Sequence, residues 1–229
     1  MDLDIFQFDS ISKVSYLLSS LFFVKYNSAK LNLKATYCFS LFCKFALLIK
    51  NMEEEKVILV NEKDEQIGLM PKMEAHEKAL LHRAFSVFVF NSKNQLMLQQ
   101  RALTKYHSPG LWTNTCCSHQ RAGESNLQAG KRRLQEEMGF TTPLKEKTSF
   151  IYKAPFDNGL TEHELDHIMV GYYEKEPNIN KDEVESWKWM QLEDVKKDIS
   201  EQPELYTAWF KIIFDKFYQF INITNESNS

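Results

Sequence analysis

The chain has 229 residues, enough for one or two globular domains. Its apolar share of 43% and charged share of 26% are ordinary for a globular protein and exclude collagen-like, coiled-coil and wholly disordered chains. The formal net charge of -3 gives no bulk electrostatic reason to expect a nucleic-acid partner. No apolar run reaches the roughly 18 residues that a membrane-spanning helix needs.

The cysteines indicate a reducing compartment. Four of them, Cys38, Cys43, Cys116 and Cys117, are too few and too unevenly spaced for a disulfide scaffold. The adjacent Cys116 and Cys117 could pair with each other only under strain. Reduced thiols fit a cytosolic protein, so we predict a cytoplasmic location.

Residues 1–51 differ in composition from the rest of the chain. They contain none of the seven glycines and six prolines, the residues that usually mark turns. Six lysines against three aspartates give this leader a charge of +3, which leaves -6 for residues 52–229. The leader lacks the basic start of a secretory signal. We predict an N-terminal extension outside the working domain, with Met52 as the natural start. A targeting or membrane-touching segment and a packed structural extension are the alternatives.

The first elements predicted after the leader are strands. Two short apolar runs, residues 55–60 and 66–70, flank a polar turn and predict a hairpin. Residues 82–91 mix β-branched and aromatic side chains without a helical period, and residues 95–100 follow after a polar turn, which predicts a central strand pair. Further strand candidates are residues 148–154 and 165–173.

Helices are predicted in the middle and at the end of the chain. Ser125 and Gln128 form a capping box, and Gly139 supplies a C-terminal stop. This pattern predicts a helix from Ser125 to Gly139. Two more helices are predicted, at residues 193–200 and 204–221. Strands before and after one central helix, with helices closing the chain, predict an α/β (α+β) fold in a single domain that follows the leader.

A charged motif runs from Ser118 to Phe140 and reads S-x5-E-x7-R-R-L-Q-E-E-M-G-F. It resembles the Nudix box, G-x5-E-x7-R-E-U-x-E-E-x-G-U, with U an aliphatic residue. In that pattern a loop and a helix present carboxylates on one face, where they can hold Mg2+ against a diphosphate. Ser118 replaces the leading glycine and Arg133 replaces a metal-binding glutamate. The loss of that carboxylate argues against ordinary pyrophosphate hydrolysis, and a solvated charged helix is the alternative interpretation.

Four further segments surround this box. They are LLHRAFSVFVFN from Leu80, QQRALTK from Gln99, LWTNTCCSH from Leu111 and EHE from Glu162. With the box, they resemble the type I isopentenyl-diphosphate isomerases over nearly all of residues 52–221. The resemblance implies a Nudix-like mixed sheet between helices. It also implies interconversion of isopentenyl diphosphate and dimethylallyl diphosphate in isoprenoid biosynthesis.

The resemblance implies a divalent-metal centre as well. The family places three histidines and two glutamates around one metal ion, and these positions fall on His76, His82, His119, Glu162 and Glu164. Three imidazoles with two carboxylates suit Zn2+, Mn2+ or Mg2+ in an octahedral site, and the sequence does not choose among the three ions.

The resemblance also assigns the reacting groups. It places the catalytic cysteine at Cys117 and the catalytic glutamate at Glu164. Isomerisation adds a proton at the terminal alkene carbon and removes one from C2, which suits a thiol and a carboxyl on opposite walls of a pocket. Because the reaction is reversible, each group must both give and take a proton. Trp189 matches the family tryptophan that stabilises the carbocation through its π face, and Tyr152 matches the tyrosine near the glutamate.

Cations are expected to bind the diphosphate. Lys72, Arg101 and Lys105 fall on the family's phosphate-contacting positions, where the fork of an arginine and the point charge of a lysine can bind one phosphate together. Glu137, the last carboxylate of the box, matches the family residue that holds a second Mg2+ bridging the diphosphate oxygens.

Two other functions fit the sequence less well than the isomerase. A Nudix diphosphate hydrolase is disfavoured by Arg133 and by the thiol of Cys117 beside a ligand histidine, and a non-catalytic binding module would be expected to lose Cys117 or Glu164. The aromatic stripe of the last predicted helix, which includes Trp209 and Phe210, is interpreted as core or pocket cover, with a dimer face as the alternative. The predicted partner is the small-molecule substrate, with no nucleic acid and no stable membrane span, in a monomer or homodimer.

Overall fold

The computed structural model describes residues 55–156 and 159–222, apart from the side chains of residues 216, 217 and 219–222. The expectations about the leader therefore lie outside the described residues. In this part of the chain, no helix combines the length and the apolar character needed to cross a bilayer.

The described residues form one mixed sheet and several helices. The strands are β1 (Lys56–Val60), β2 (Gln66–Pro71), β3 (His82–Phe90), β4 (Gln95–Arg101), β5 (Trp112–Thr113), β6 (Cys116–Ser118), β7 (Leu144–Pro155), β8 (Thr161–Tyr172) and β9 (Val184–Gln191). The helices are α1 (Lys72–Glu77), α2 (Asn126–Met138), α3 (Leu192–Glu201) and α4 (Ala208–Asn222).

Strand β3 lies at the centre of the sheet. It runs parallel to β8 over its whole length, while β7 continues the sheet antiparallel to β8 and β9 pairs antiparallel with β4. The predicted pairing of β3 with β4 holds at one position, Phe90 opposite Leu96. Beyond it, the hydroxyl of Thr115 lies between the strands, where it accepts from the amide of Val89 at 2.9 Å and donates to the carbonyl of Met97 at 2.6 Å. The two strands therefore separate, and β6 pairs with β3 instead.

Both faces of the sheet are buried, as the alternation of side chains along β3 shows. Phe88 and Phe90 pack into a core with α3 and α4, whereas Phe85, Val87 and Val89 pack into a second core with α2. Successive residues of a strand point to opposite faces, so one strand supplies both cores. The predicted α/β fold, a mixed sheet between helices, is confirmed.

Helix α2 forms as its sequence predicts. The Ser125 hydroxyl accepts from the amide of Gln128, whose side chain accepts in return from the amide of Ser125, and Gly139 closes the helix at φ 72°. Helix α4 starts later than predicted, because Pro203–Leu205 forms a separate 3-10 turn. The sequence patterns predict none of α1, β5, β6 and β9.

Candidate active site

Three histidine rings meet at one end of the β3–β8 pair. His76 lies on α1, His82 begins β3 and His119 follows β6, and all three are buried. Their ring centroids are 4.7 to 5.6 Å apart. One ligand atom from each ring and one from Glu164 lie within 4.8 Å of one another. The sequence separates these residues by up to 88 positions, and the pairing of β3 with β6 and β8 brings them together.

The orientation of two of these rings fits a metal ion. Nδ1 of His76 lies 2.7 Å from the carbonyl of Lys72, and Nδ1 of His82 lies 2.8 Å from the carbonyl of Leu80. A carbonyl only accepts, so Nδ1 carries the proton in both rings and Nε2 presents its lone pair. Both Nε2 atoms are buried without a hydrogen-bond partner in the described part of the chain. Unpaired buried imidazole nitrogens beside a carboxylate form a donor set that suits a divalent cation.

Two carboxyls from β8 complete the cluster. Glu164 lies 2.9 Å from Nε2 of His119 and 3.5 Å from Nε2 of His82, and it accepts at 2.6 Å from the Tyr152 hydroxyl. Glu162 lies 3.7 Å from Nε2 of His76. Both side chains point to the same face because they are two residues apart on a strand.

Their surroundings push the pKa values of the two carboxyls apart. Desolvation by burial, with the neighbouring charge of Glu164, raises the pKa of Glu162. Burial acts in the same direction on Glu164, but its interactions with His82, Glu162 and the Tyr152 hydroxyl outweigh burial and hold its pKa at about 2. Carboxyls in such unequal surroundings are typical of acid–base sites.

The two adjacent cysteines face opposite sides of β6. Cys117 lines the same cavity as Glu164, whereas Cys116 is fully buried in the core beneath α2. Desolvation by burial raises the pKa of the Cys117 thiol to about 12, although Arg101 acts in the opposite direction. The thiol therefore holds its proton at neutral pH.

These groups line one open cavity, and a few convergent polar side chains of this kind are typical of small-molecule sites. Of the predicted site residues, the following line it: Lys72, His76, Arg101, Lys105, Cys117, His119, Glu137, Tyr152, Glu162 and Glu164. His82 does not line the cavity. Its ring is fully buried next to Glu164, which does. The cavity thus joins the thiol, the carboxyls and the predicted phosphate-binding cations.

The cations lie together, and most have acidic partners. Nζ of Lys72 lies 3.2 Å from Glu55, and Lys105 pairs closely with Glu183. Arg101 instead donates to the carbonyl of His107 at 3.2 Å, and its Nε is buried without a partner among the described residues.

The Nudix-box helix contributes to the same cavity. Arg133, which replaces the box glutamate, lines the cavity. Its guanidinium donates hydrogen bonds to Glu137 at 2.5 Å and to Glu183 at 3.2 Å. The other carboxylate oxygen of Glu137 accepts from Gln99 at 2.9 Å. Glu124 and Glu136 pair with arginines of the same segment and do not line the cavity. In this chain, an arginine therefore occupies the position of the missing box carboxylate.

The predicted tryptophan does not reach the cavity. Trp189 lies on β9 opposite Met97 of β4, and it packs edge-on to Trp187 against the core beneath α2. The tryptophan that lines the cavity is Trp209 of α4, in the stripe interpreted from sequence as core or pocket cover. Sequence reasoning also missed Glu183, which lines the cavity and pairs there with Lys105 and Arg133.

The comparisons with known proteins agree with this geometry. A family model described as the NUDIX domain matches residues 80–210. A crystal structure of the DR0079 protein from Deinococcus radiodurans has a TM-score of 0.59 at 20% identity and covers 71% of this chain and 99% of that chain. A MutT protein from Methanosarcina mazei has a TM-score of 0.50 at 17% identity over 61% of this chain and 94% of that chain. The fold and the box thus define a Nudix-domain protein.

Curated relatives narrow this class. Isopentenyl-diphosphate Delta-isomerase 2 from Photorhabdus laumondii is 51% identical over 71% of this chain and 92% of its own length. Isopentenyl-diphosphate Delta-isomerase from Serratia proteamaculans is 48% identical over 70% of this chain and 89% of its own length. The chain belongs to the isopentenyl-diphosphate Delta-isomerase family, and the resemblance stated from sequence is confirmed.

Proposed function

We propose that this cavity interconverts isopentenyl diphosphate and dimethylallyl diphosphate, as a step of isoprenoid biosynthesis. The observation that carries the proposal is that the Cys117 thiol and the Glu164 carboxyl line one cavity together with the cations. The names of relatives that are about half identical to this chain support the same reaction.

The cation-lined part of the cavity suits the diphosphate. Lys72, Arg101 and Lys105 offer positive charge there, and Arg133 adds a fourth cation. The buried Nε atoms of Arg101 and Arg133 have no partner in the described part of the chain and are available to phosphate oxygens. We assign a second Mg2+ to Glu137, because each of its hydrogen-bonded oxygens keeps a further lone pair.

The thiol and the carboxyls of the cavity suit the alkene chemistry. One acid delivers a proton to the terminal carbon, the double-bond electrons form the new C–H bond, and C3 becomes a tertiary carbocation. A base then removes a proton from C2, and that C–H pair forms the new double bond. Cys117 and Glu164 fill these two roles and exchange them in the reverse direction. Burial raises the pKa of the Tyr152 hydroxyl well above its usual range. The hydroxyl therefore stays protonated and donates a hydrogen bond to Glu164.

The histidine–glutamate cluster fits one divalent ion, Mn2+, Zn2+ or Mg2+. His76, His82, His119, Glu162 and Glu164 would hold it. The ion would supply positive charge that fixes and polarises the Glu164 carboxylate. The residues of the chain orient this set, since the Lys72 and Leu80 carbonyls hold the His76 and His82 rings.

A product assay on the full chain tests the proposal. With Mg2+ and isopentenyl diphosphate, we expect dimethylallyl diphosphate to appear in the 31P and 1H NMR spectra, and prolonged chelation to abolish the conversion until Mn2+, Zn2+ or Mg2+ is returned. Release of phosphate or a monophosphate would indicate the Nudix hydrolase instead. Absence of any product with metal present would indicate a binding module.

Two tryptophans provide a matched pair for the carbocation step. Because Trp209 lines the cavity and Trp189 does not, Trp209→Ala is expected to lower kcat at least about thirtyfold, the rate equivalent of a desolvated cation–π contact. We expect Trp189→Ala to cost stability but to leave kcat within about threefold. Steady-state kinetics and thermal unfolding of both variants check this. A larger loss of kcat in Trp189→Ala than in Trp209→Ala would assign the stabilisation of the carbocation to Trp189.

The cytoplasmic location and the choice between monomer and homodimer stay predictions, as does the absence of a nucleic-acid partner.

A further inference from the structure

A buried hydroxyl lies directly behind the cavity tryptophan. Thr113 ends β5 with no exposed surface, and its Oγ1 accepts from Nε1 of Trp209 at 3.0 Å. The Trp209 ring also meets His107 and Phe156 edge-on, at centroid distances of 5.5 and 6.4 Å. Ring packing is tolerant of small rotations, whereas the N–H bond is directional, so the hydroxyl sets the plane of the indole.

The Thr113 hydroxyl has no spare bonding capacity. Its oxygen accepts from Trp209 and, at 3.1 Å, from the Thr207 hydroxyl, while its own proton goes to Oδ1 of Asn114 at 2.9 Å. One donor and two lone pairs are all that a hydroxyl offers. Rotation of the indole would therefore leave a buried polar group unpaired, which is unfavourable.

The same network continues to the backbone next to the reacting thiol. Nδ2 of Asn114 donates to the carbonyl of Cys116 at 2.8 Å and to the carbonyl of Val87 at 3.2 Å. The Cys116 carbonyl belongs to the peptide bond that leads into Cys117. Directional bonds thus connect the indole on α4 to the backbone that carries the thiol on β6.

We propose that Thr113 is a positioning residue, which holds the indole of Trp209 in register with the Cys117 thiol so that a cation formed between them meets the π face. The proposal rests on the proposed isomerase function. In the described part of the chain, Thr113 itself bonds to none of the cations that we assign to the diphosphate, although the guanidinium of Arg101 lies over the Trp209 ring at 5.1 Å from its centroid. Because Arg101 also donates to the carbonyl of His107, we expect loss of the Thr113 hydroxyl to alter the alkene end more than the binding of the diphosphate.

The first test replaces Thr113 with valine, which keeps the branched shape and removes the hydroxyl. We expect Thr113→Val to lower kcat about tenfold, the rate equivalent of one lost buried hydrogen bond, with KM changed less than about twofold. Thr113→Ser keeps the hydroxyl and should restore kcat to within about threefold of the natural enzyme. Thr113→Ala replaces the valine variant in every comparison if valine prevents folding.

Thr115 supplies the matched control. Its hydroxyl is equally buried and bonds to Val89 and Met97, away from Trp209. Thr115→Val should destabilise the protein by a similar amount and leave kcat within about twofold. Equal kcat losses in the two valine variants would show that Thr113 acts through stability alone and would overturn the proposal.

Two readouts other than turnover separate positioning from folding. The indole N–H signal of Trp209, assigned by its loss in Trp209→Phe, should move upfield in Thr113→Val and stay in place in Thr115→Val. A diphosphate ester that carries a tertiary ammonium group should bind Thr113→Val about tenfold more weakly, while inorganic diphosphate binds unchanged. An unmoved signal, or equal weakening of both ligands, would contradict the proposal. Absence of isomerisation by the natural enzyme would instead refute the proposed function.

Discussion

Replacement of Cys117 with alanine is expected to lower kcat about a thousandfold, within the range that a positioned general acid–base group contributes. The Cys117 side chain lines the same cavity as the carboxyl cluster, and burial raises the pKa of its thiol to about 12, so it holds a transferable proton at neutral pH. Its loss leaves the phosphate-binding cations in place, so KM should change little. Steady-state kinetics over a range of substrate concentrations measures both quantities.

The neighbouring cysteine is the natural control. Cys116 is fully buried beneath α2 and does not line the cavity. Cys116→Ala deletes the same atom from the same strand, and we expect a small loss of stability with kcat within about threefold. If Cys117→Ala keeps more than about a tenth of the natural rate, the thiol is not an essential proton carrier.

Replacement of Glu164 with glutamine should also lower kcat about a thousandfold, and it should weaken metal binding. Glu164 contacts His82, His119 and the Tyr152 hydroxyl, so it belongs to the metal cluster and to the reacting groups at once. An amide cannot take up the proton that the carboxylate accepts. Metal content by atomic spectroscopy and turnover at several metal concentrations measure the two effects.

Glu162→Gln separates these two roles. Glu162 lies against His76, and its carboxyl is not bonded to Tyr152 in the described part of the chain. At saturating metal we expect Glu162→Gln to recover to within about tenfold of the natural kcat, whereas Glu164→Gln stays inactive. Equal recovery of both variants would limit Glu164 to holding the metal.

The elements that the sequence predicts well are those determined by neighbouring residues. The capping box and closing glycine of α2 interact within one turn, so their pattern is sufficient to place the helix. The pairing of β3 is different, because the Thr115 hydroxyl separates it from β4 and no local pattern reveals that contact. Long-range pairing of β3 with β8 is likewise a property of the whole fold.

The site residues likewise divide into those that local sequence predicts and those that depend on long-range packing. The resemblance predicts the histidines and carboxyls, which lie in recognisable segments, and the structure gathers them at one cavity. The resemblance assigns the carbocation role to Trp189 and leaves Trp209 in the aromatic stripe, because only the packing of α4 shows which tryptophan lines the cavity. Glu183 belongs to no motif. It forms ion pairs with both Lys105 and Arg133, and these three residues come from separate segments of the chain.

The most direct test of acid–base isomerisation at this site is deuterium incorporation in heavy water. The full chain with metal is incubated with isopentenyl diphosphate, and 1H and 2H NMR follow the methyl and C2 positions over time. We predict dimethylallyl diphosphate that carries deuterium in a methyl group, with further exchange at C2 as the reaction reverses, and neither change with Cys117→Ala or Glu164→Gln. Dimethylallyl diphosphate that forms without any solvent deuterium, or exchange that persists in both variants, would contradict the roles assigned to Cys117 and Glu164.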